Sequence, residues 1–408
     1  MAPLTDSSSE YDLVVVGAGP GGSMAARVAA EGGLSVLLLE KKSKPGRKLC
    51  AGGIIGRVMR RFDIDEDSLE CKIDSYKVFV GKEGWVDIPA KGAATSYRTT
   101  LENESFKRFD YYLAMRARDS GATLQTSSQL VDMRRDNGKI RSRVRTPKGD
   151  MTVTSKLVIG SDGFHSTVGR LTGLSPPPPS DKMIVAVQRE VITGKNDDCN
   201  CYHLFDPSII STGYLWAYPK SQGFSIGMGC LASQINDPLK FALQKAMTQN
   251  QFIKTLIPSG STILPLEGAP IPAAPLKNFV SDGVMLVGDS AGQCDPISGD
   301  GIYYAMAAGK LAAGVAADAV SADDYSRTKL SALKELWMAS EGKELAWERR
   351  RLEIISKDYL THFEKVMRRR KSPSKERFAR RADYYLSRMT RMMPSFVLEK
   401  LVREGYIL

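Results

Sequence analysis

Histidine, cysteine and tryptophan are all scarce in this 408-residue chain. There are three His, at 165, 203 and 362, and six Cys, at 50, 71, 199, 201, 230 and 294, with no Cys-x-x-Cys pair. A structural zinc site needs four Cys or His ligands, so the isolated Cys199-x-Cys201 reads as structural and no metal is expected. So few Cys predict reduced cytoplasmic thiols rather than a disulfide framework. No apolar run approaches the roughly 18 residues that suggest a membrane-spanning helix. The opening "MAPLTDSSSE" has neither a basic n-region nor an apolar h-region, so no signal or transit peptide is expected. Of the four Trp, one stands in "GYLWAYPK" (213–220), where Tyr214, Trp216 and Tyr218 occupy alternate positions.

What remains is ordinary for a soluble globular chain, with 42% hydrophobic and 25% charged residues. The length predicts two domains or one large composite. The net charge of +11 is uneven: from Lys343 onward there are 18 Lys/Arg against 9 Asp/Glu. In "EKVMRRRKSPSKERFARRADYYLSRM" (364–389), Arg368–Lys371 cluster, and Phe378, Ala382 and Tyr385 recur at helical spacing beside Arg377, Arg380 and Arg381. That pattern suits a helix lying on an anionic membrane surface, and equally a solvated helical face.

"YDLVVVGAGPGGSMAARVAAEGGLSVLLLE" holds the clearest local signal. An apolar strand, Leu13–Val16, runs into Gly17-x-Gly19-x-x-Gly22, then an Ala-rich helix over 20–31, then a second strand, 35–39, closing on Glu40. Gly17 permits the tight turn, Gly19 lets the backbone approach a pyrophosphate, and Gly22 lets helix and strand pack closely. Ala18 lies within this loop. The helix N-terminus offers N–H groups to phosphate, and Glu40 is placed for a ribose 2′-OH. Strand, helix, strand and acid in register predict a dinucleotide site.

Near the other end, the strand 284–287 runs into "GDSAG" (288–292), followed by Pro296, Gly299, Gly301 and a long small-residue helix. This resembles the second flavin motif of FAD enzymes with the p-hydroxybenzoate hydroxylase type of fold. The resemblance implies that Asp289 binds the ribityl chain and that the backbone at Gly301–Ile302 meets the flavin pyrimidine edge. "LVIGSDGFHSTVGR" (157–170) resembles a third motif of that family, with Asp162 and Gly163 in matching places. "ESFKRFDYYLAMRARDSGATLQ" (104–125) resembles its R-x-x-F-D-x-x-L helix, although Phe106 stands where the family has Arg; Arg98 or Arg108 could substitute. Leu130 falls where the family backbone meets adenine. FAD is therefore the expected cofactor. Only one G-x-G-x-x-G unit is present, so the electron donor is expected to make transient contact.

"KKSKPGRKLCAGGI" (41–54) resembles the K-x-C-G-G segment of the geranylgeranyl reductase family, with Ala51 at a position often Gly. By that resemblance Cys50, Ala51 and Gly53 pass beside the isoalloxazine, and Cys50 is the expected catalytic side chain; a buried small residue is the alternative. "YLWAYPK" resembles the family's Y-x-W-x-F-P-K, which implies that Tyr214, Trp216 and Tyr218 line an apolar substrate cavity. On bare physics the same face is sheet core. "SIGMG" (225–229) would be a return strand of small residues beneath an open cavity.

The expected fold is α/β. A discontinuous Rossmann-type FAD domain (10–72, 98–174, 280–325) interleaves with an antiparallel-sheet substrate domain (73–97, 175–279), followed by a basic helical region (326–408). The expected activity is FAD-dependent saturation of geranylgeranyl C=C bonds in ether-lipid precursors, by a cytoplasmic protein peripherally bound to membrane and not to nucleic acid. The alternatives are a monooxygenase or halogenase of the same fold, and a chlorophyll-pathway reductase.

Overall fold

The computed structural model describes residues 9–46, 48–90, 92–96, 108–210, 212–357, 361 and 364–365. Arg98, Phe106 and the basic run Arg368–Lys371 lie outside the described residues. The chain divides into two compact units: residues 1–48, 101–179 and 271–345 form the first, and 49–100, 180–270 and 346–408 the second.

The first unit is built on a sheet with strands in the order Val280–Ser281, Val284–Leu286, Gly149–Gly160, Ser9–Val16, Val36–Leu39, Thr123–Gln125. From Val284–Leu286 to Thr123–Gln125 the neighbours are parallel. Parallel strands are buried on both faces and so read as unbroken apolar runs; Leu13, Val14, Val15, Leu38, Leu157 and Ile159 are fully buried. Gly149–Gly160 also pairs antiparallel with Lys139–Thr146, which pairs with Gln129–Asp136, the strand that carries Leu130. The helix Pro20–Glu31 follows the first strand and matches the expected span. It lies against Ile302–Ser321, a helix so rich in Ala that the backbones nearly touch: a Cβ added at Gly309 would stand 2.2 Å from Gly21 O.

The second unit carries a sheet in the order Thr262–Ile263, Met183–Ile192, Gly223–Leu231, Tyr214–Lys220, Asn200–Phe205, Ser75–Val80, Gly84–Pro89. It is antiparallel except where Ser75–Val80 runs parallel to Asn200–Phe205. Leu215, Ala217, Ile226 and Met228 join Leu239, Leu243 and Ile253 of the helices Leu239–Gln249 and Gln251–Thr255 in one core. A three-stranded sheet, Gly53–Ile54, Ala94–Ser96 and Leu69–Lys72, belongs to the same unit. That pairing moves the first division of the chain to Lys48–Leu49, ahead of the expected boundary at residue 72. It also puts Cys50 on the second unit.

Candidate functional site

In the first unit the loop Gly17–Gly19 is shaped by contacts that only glycine permits. Gly17 has φ +100°, and a Cβ there would stand 2.4 Å from Ser161 O. A Cβ on Gly22 would stand 1.9 Å from Gly17 O, so the third glycine lets the helix close onto the loop. Gly19 differs: nothing lies within 4 Å of a Cβ built there. Its side faces open space at the start of a helix that no side chain caps, with Pro20 at the first position. The cradle therefore combines open room with helix N–H groups and the positive end of the helix dipole.

Glu40 ends the second strand and turns back to this loop. Its Oε2 accepts from Ala18 N–H at 3.1 Å and its Oε1 from Lys42 N–H at 2.8 Å. Each oxygen keeps a lone pair for a further donor. Asp289 sits in the tight turn Gly288–Ala291, nearly buried, with its carboxylate ion-paired to Lys48. Gly301 lies beside it, since a Cβ there would be 3.4 Å from Asp289 Oδ1. Gly301 also precedes the long helix, whose Ile302 N–H donates to Asp300 Oδ1 at 3.2 Å. Cys294 is buried at the same place, and burial, then Asp289 and the other nearby acids, push its thiol well up.

Asp162 is tied to the helix that follows its motif. Its carboxylate accepts from Thr167 N–H (2.6 Å), Val168 N–H (3.1 Å) and Ser166 Oγ (2.6 Å), capping the short helix Thr167–Thr172. Burial pushes its pKa up while these bonds pull it down. Leu130 is a buried core residue whose strand is irregular at this point, the register slipping between Arg143 and Val144 opposite it.

In the second unit, the loop 49–53 packs under the end of the aromatic strand. Cys50 is half-buried, and its sulfur accepts from Gly52 N–H at 3.4 Å. Gly52 has φ +80° and Gly53 leaves the space that the Tyr218 ring fills; a Cβ on Gly53 would be 2.4 Å from Tyr218 Cε1. Lys220 is buried and donates to Ala51 O (2.8 Å) and Ser96 O (2.9 Å), fixing the loop by its ammonium. Gln188 Nε2 reaches Cys50 O at 3.4 Å and Glu190 Oε1 at 3.3 Å, and Ser225 Oγ donates to Glu190 Oε1 at 3.0 Å. Lys220 ends the quoted aromatic motif, so its type was in view but not its task. Gln188 and Glu190 carried no local signal.

Tyr214, Trp216 and Tyr218 share one sheet face, and Leu215 and Ala217 point to the core on the other. The rings touch in series: Tyr214–Trp216 centroids lie 5.9 Å apart, His203–Tyr214 5.2 Å and His203–Tyr218 5.5 Å, with Tyr76 stacked on His203 at 5.7 Å. His203 Nε2 and the Tyr218 hydroxyl are 3.2 Å apart. Loss of water among these rings pushes the imidazole down to about 4, and burial pushes the Tyr218 phenol well up. Both groups are therefore neutral near pH 7, and the tautomer of the imidazole sets which of the two donates. His203 was the residue that sequence reading passed over.

One expectation needs correction. The small residues of 225–229 do not leave an open cavity at Gly227. The Trp216 ring lies down on that strand, and a Cβ at Gly227 would be 2.4 Å from its Cζ2. Trp216 is 8% exposed, so the middle ring of the ladder is packed while Tyr214 and Tyr218 remain partly open.

The model of the FAD binding domain family matches residues 10–317. A digeranylgeranylglycerophospholipid reductase of Methanococcoides burtonii is 32% identical over 343 residues, 83% of this chain and 82% of the relative. One from Methanosphaerula palustris is 33% identical, covering 81% and 82%. Among solved structures, a geranylgeranyl bacteriochlorophyll reductase-like protein from Thermoplasma acidophilum superposes with a TM-score of 0.75 at 27% identity, covering 88% of this chain and 92% of that one. A flavin-dependent brominase (TM-score 0.68, 18% identity, 90% and 91% covered) shares the fold.

Proposed function

The chain belongs to the digeranylgeranylglycerophospholipid reductase family of FAD-binding-domain proteins, and on that premise we propose that it saturates C=C bonds in the geranylgeranyl chains of a membrane ether-lipid precursor. FAD is its cofactor. The first unit fits it: the open side of Gly19 and the uncapped helix suit the pyrophosphate, the spare acceptors of Glu40 suit the ribose, and Asp289 beside Gly301 suits the ribityl hydroxyls. When bound and reduced, FAD supplies hydride. Everything else falls to the chain.

The chain's own task is set by the substrate's chemistry. An isolated trisubstituted alkene is a poor electrophile, so a proton must arrive with or before the hydride, and positive charge builds on the tertiary carbon. The face of Tyr214, Trp216 and Tyr218 offers that charge π electrons, on the order of 0.5–2 kcal/mol for a ring in contact. His203, held neutral, places no competing cation there. Dry walls protect the charge from water. We assign the proton to the Cys50 thiol, whose loop is fixed by Lys220 through Ala51 O. The observation that carries the reading is this juxtaposition, in one unit, of a neutral aromatic face and a thiol-bearing glycine loop packed under its last ring.

The test is mass spectrometry of geranylgeranyl ether lipids incubated with chemically reduced protein. Stepwise gain of a hydrogen pair per reduced bond is expected. Unchanged lipid, or oxygen incorporated into an aromatic substrate in air, would overturn the reading in favour of the monooxygenase or halogenase alternative. Access to so insoluble a substrate leads us to include peripheral docking of the basic tail on anionic lipid. Salt-sensitive pelleting with anionic vesicles, weakened when Arg368, Arg369 and Arg370 become Glu, is the expected result.

A further inference from the structure

We propose that Cys71 and Cys199 are a reversible redox pair, a modification site that closes to a disulfide when a small-molecule disulfide such as oxidised glutathione is in excess. Composition alone predicted reduced thiols rather than disulfides. The fold instead brings these two, 128 positions apart in sequence, to a sulfur–sulfur distance of 3.4 Å. Both are half-buried, and both are free thiols.

The backbone on each side is already tied. Asp74 N–H donates to Cys199 O at 3.0 Å. Cys71 lies in the strand Leu69–Lys72, paired with Thr95 of Ala94–Ser96. Its neighbour Glu70 accepts from Ser221 N–H (2.6 Å) and Ser221 Oγ (2.8 Å). The sulfurs therefore meet in a frame fixed from both directions. A disulfide needs its two backbones close and correctly directed, and few chance pairs provide that.

The step balances. One protein thiolate attacks the S–S bond of oxidised glutathione and expels one glutathione thiol. The other protein thiol, after losing its proton, attacks the mixed disulfide and expels the second. Two protein S–H bonds and one glutathione S–S bond give one protein S–S bond and two glutathione S–H bonds. Burial, and then the hydrogen bond with Cys199, push the Cys71 thiol up to about 12; the Glu70 carboxylate adds to this and the Lys220 ammonium opposes it. Cys71 is thus scarcely thiolate near neutral pH, and closure is slow there and quickens with pH.

The place of the link gives it consequence. Cys199 immediately precedes Asn200–Phe205, the strand of His203, and Cys71 adjoins the Glu70–Ser221 contact just past Lys220. A bond between them would clamp the frame behind the aromatic face. The inference stands whether or not the substrate is a prenyl lipid.

The test equilibrates the full-length, FAD-loaded protein with glutathione at rising oxidised-to-reduced ratios, followed by acid quench, alkylation and trypsin digestion without reduction. We expect one new linked pair, peptide 62–72 joined to peptide 196–220, with fragment ions placing the bond at Cys199 and not at Cys201. Titratable thiols fall by two. The denaturation midpoint rises in the oxidised wild type, reverses on reduction, and does not rise for Cys71→Ser or Cys199→Ser. A link through Cys201 or Cys50, separate glutathione adducts without a link, or no oxidation at any ratio would overturn the proposal. If either variant fails to fold, the wild-type linkage map decides alone.

Discussion

The two units hold their site residues in different ways. In the first, backbone makes the shape: Gly17, Gly19 and Gly22 each matter for the side chain they lack, and one helix end supplies the electrostatics. In the second, side chains make the shape: Lys220, Gln188, Tyr218 and Trp216 fill space or reach distant carbonyls to fix a loop and a wall. A phosphate-bearing cofactor with fixed dimensions suits a backbone mould. A flexible hydrocarbon suits a wall of rings, whose packing tolerates more variation. The comparison predicts that damage to the first unit abolishes cofactor binding, and that damage to the second alters rate and stability while the cofactor stays.

The largest effect tests the first half of that statement. Asp289→Ala is expected to leave the purified protein without FAD. Each charged hydrogen bond lost there is worth roughly 1.5–3 kcal/mol, and the ion pair between Lys48 and Asp289 is lost with them. Gly22→Ala acts by geometry, since its Cβ would stand 1.9 Å from Gly17 O. Flavin absorbance per mole of protein is the readout; full occupancy in either variant would break the contrast. Cys50→Ala should do the opposite. It keeps FAD and reduces it normally, yet slows lipid reduction by roughly 10²–10⁴-fold if the thiol is the general acid. Unchanged turnover would leave Cys50 as a packing residue.

Next in size is Gly227→Ala. The added methyl meets the Trp216 ring at 2.4 Å, and Val187 O lies at 2.6 Å on the other side, so the strand or the ring must shift. Overpacking of this kind costs about 1–3 kcal/mol. Denaturant unfolding should show that loss in the FAD-loaded protein at unchanged occupancy. A stable Gly227→Ala would mean that the ring has room to move, and so that the wall is looser than the packing implies.

The same contrast decides what the sequence made legible. The nucleotide cradle was readable because glycine spacing is local: turn, approach and close packing fall within six residues, Gly17 to Gly22, and the flanking strands are unmistakably apolar. The aromatic face was readable for the same reason, since alternation in a strand is a property of neighbours. The grip of Lys220 on Ala51, 169 positions away, was not, because no local pattern encodes a partner that far along the chain. Asp162 shows a further limit. Its motif was recognised, but its bonds to Thr167 and Val168 N–H, which cap the next helix, were not read from that motif. Gly227 misled for a physical reason as well: a glycine leaves a gap, and only the fold says whether a ring fills it.

The smallest expected effect sharpens the comparison most, because it separates a polar contact from the wall that contains it. Tyr218→Phe removes the hydroxyl that meets His203 Nε2 at 3.2 Å while keeping the ring over Gly53. A neutral hydrogen bond contributes about 0.5–1.5 kcal/mol net, so stability near pH 7 should fall by about 1 kcal/mol and FAD binding should not change. The pH dependence tells what holds the imidazole neutral. His203 is held at about 4 in the fold against 6.5 ordinarily, so between these values the unfolded chain binds a proton that the folded chain refuses. The contribution of the neutral imidazole is therefore complete above pH 6.5 and is lost as pH falls from 6.5 toward 4. His203→Gln should flatten the stability curve in that window, with the wild-type slope from this group limited to about 1.4 kcal/mol per pH unit. The rings of Tyr76, Tyr214 and Tyr218 keep water from the imidazole, and Tyr218→Phe leaves them in place, so that variant should keep the slope and lower the whole curve. If it flattened the slope instead, the hydroxyl rather than the loss of water would be what holds His203 neutral.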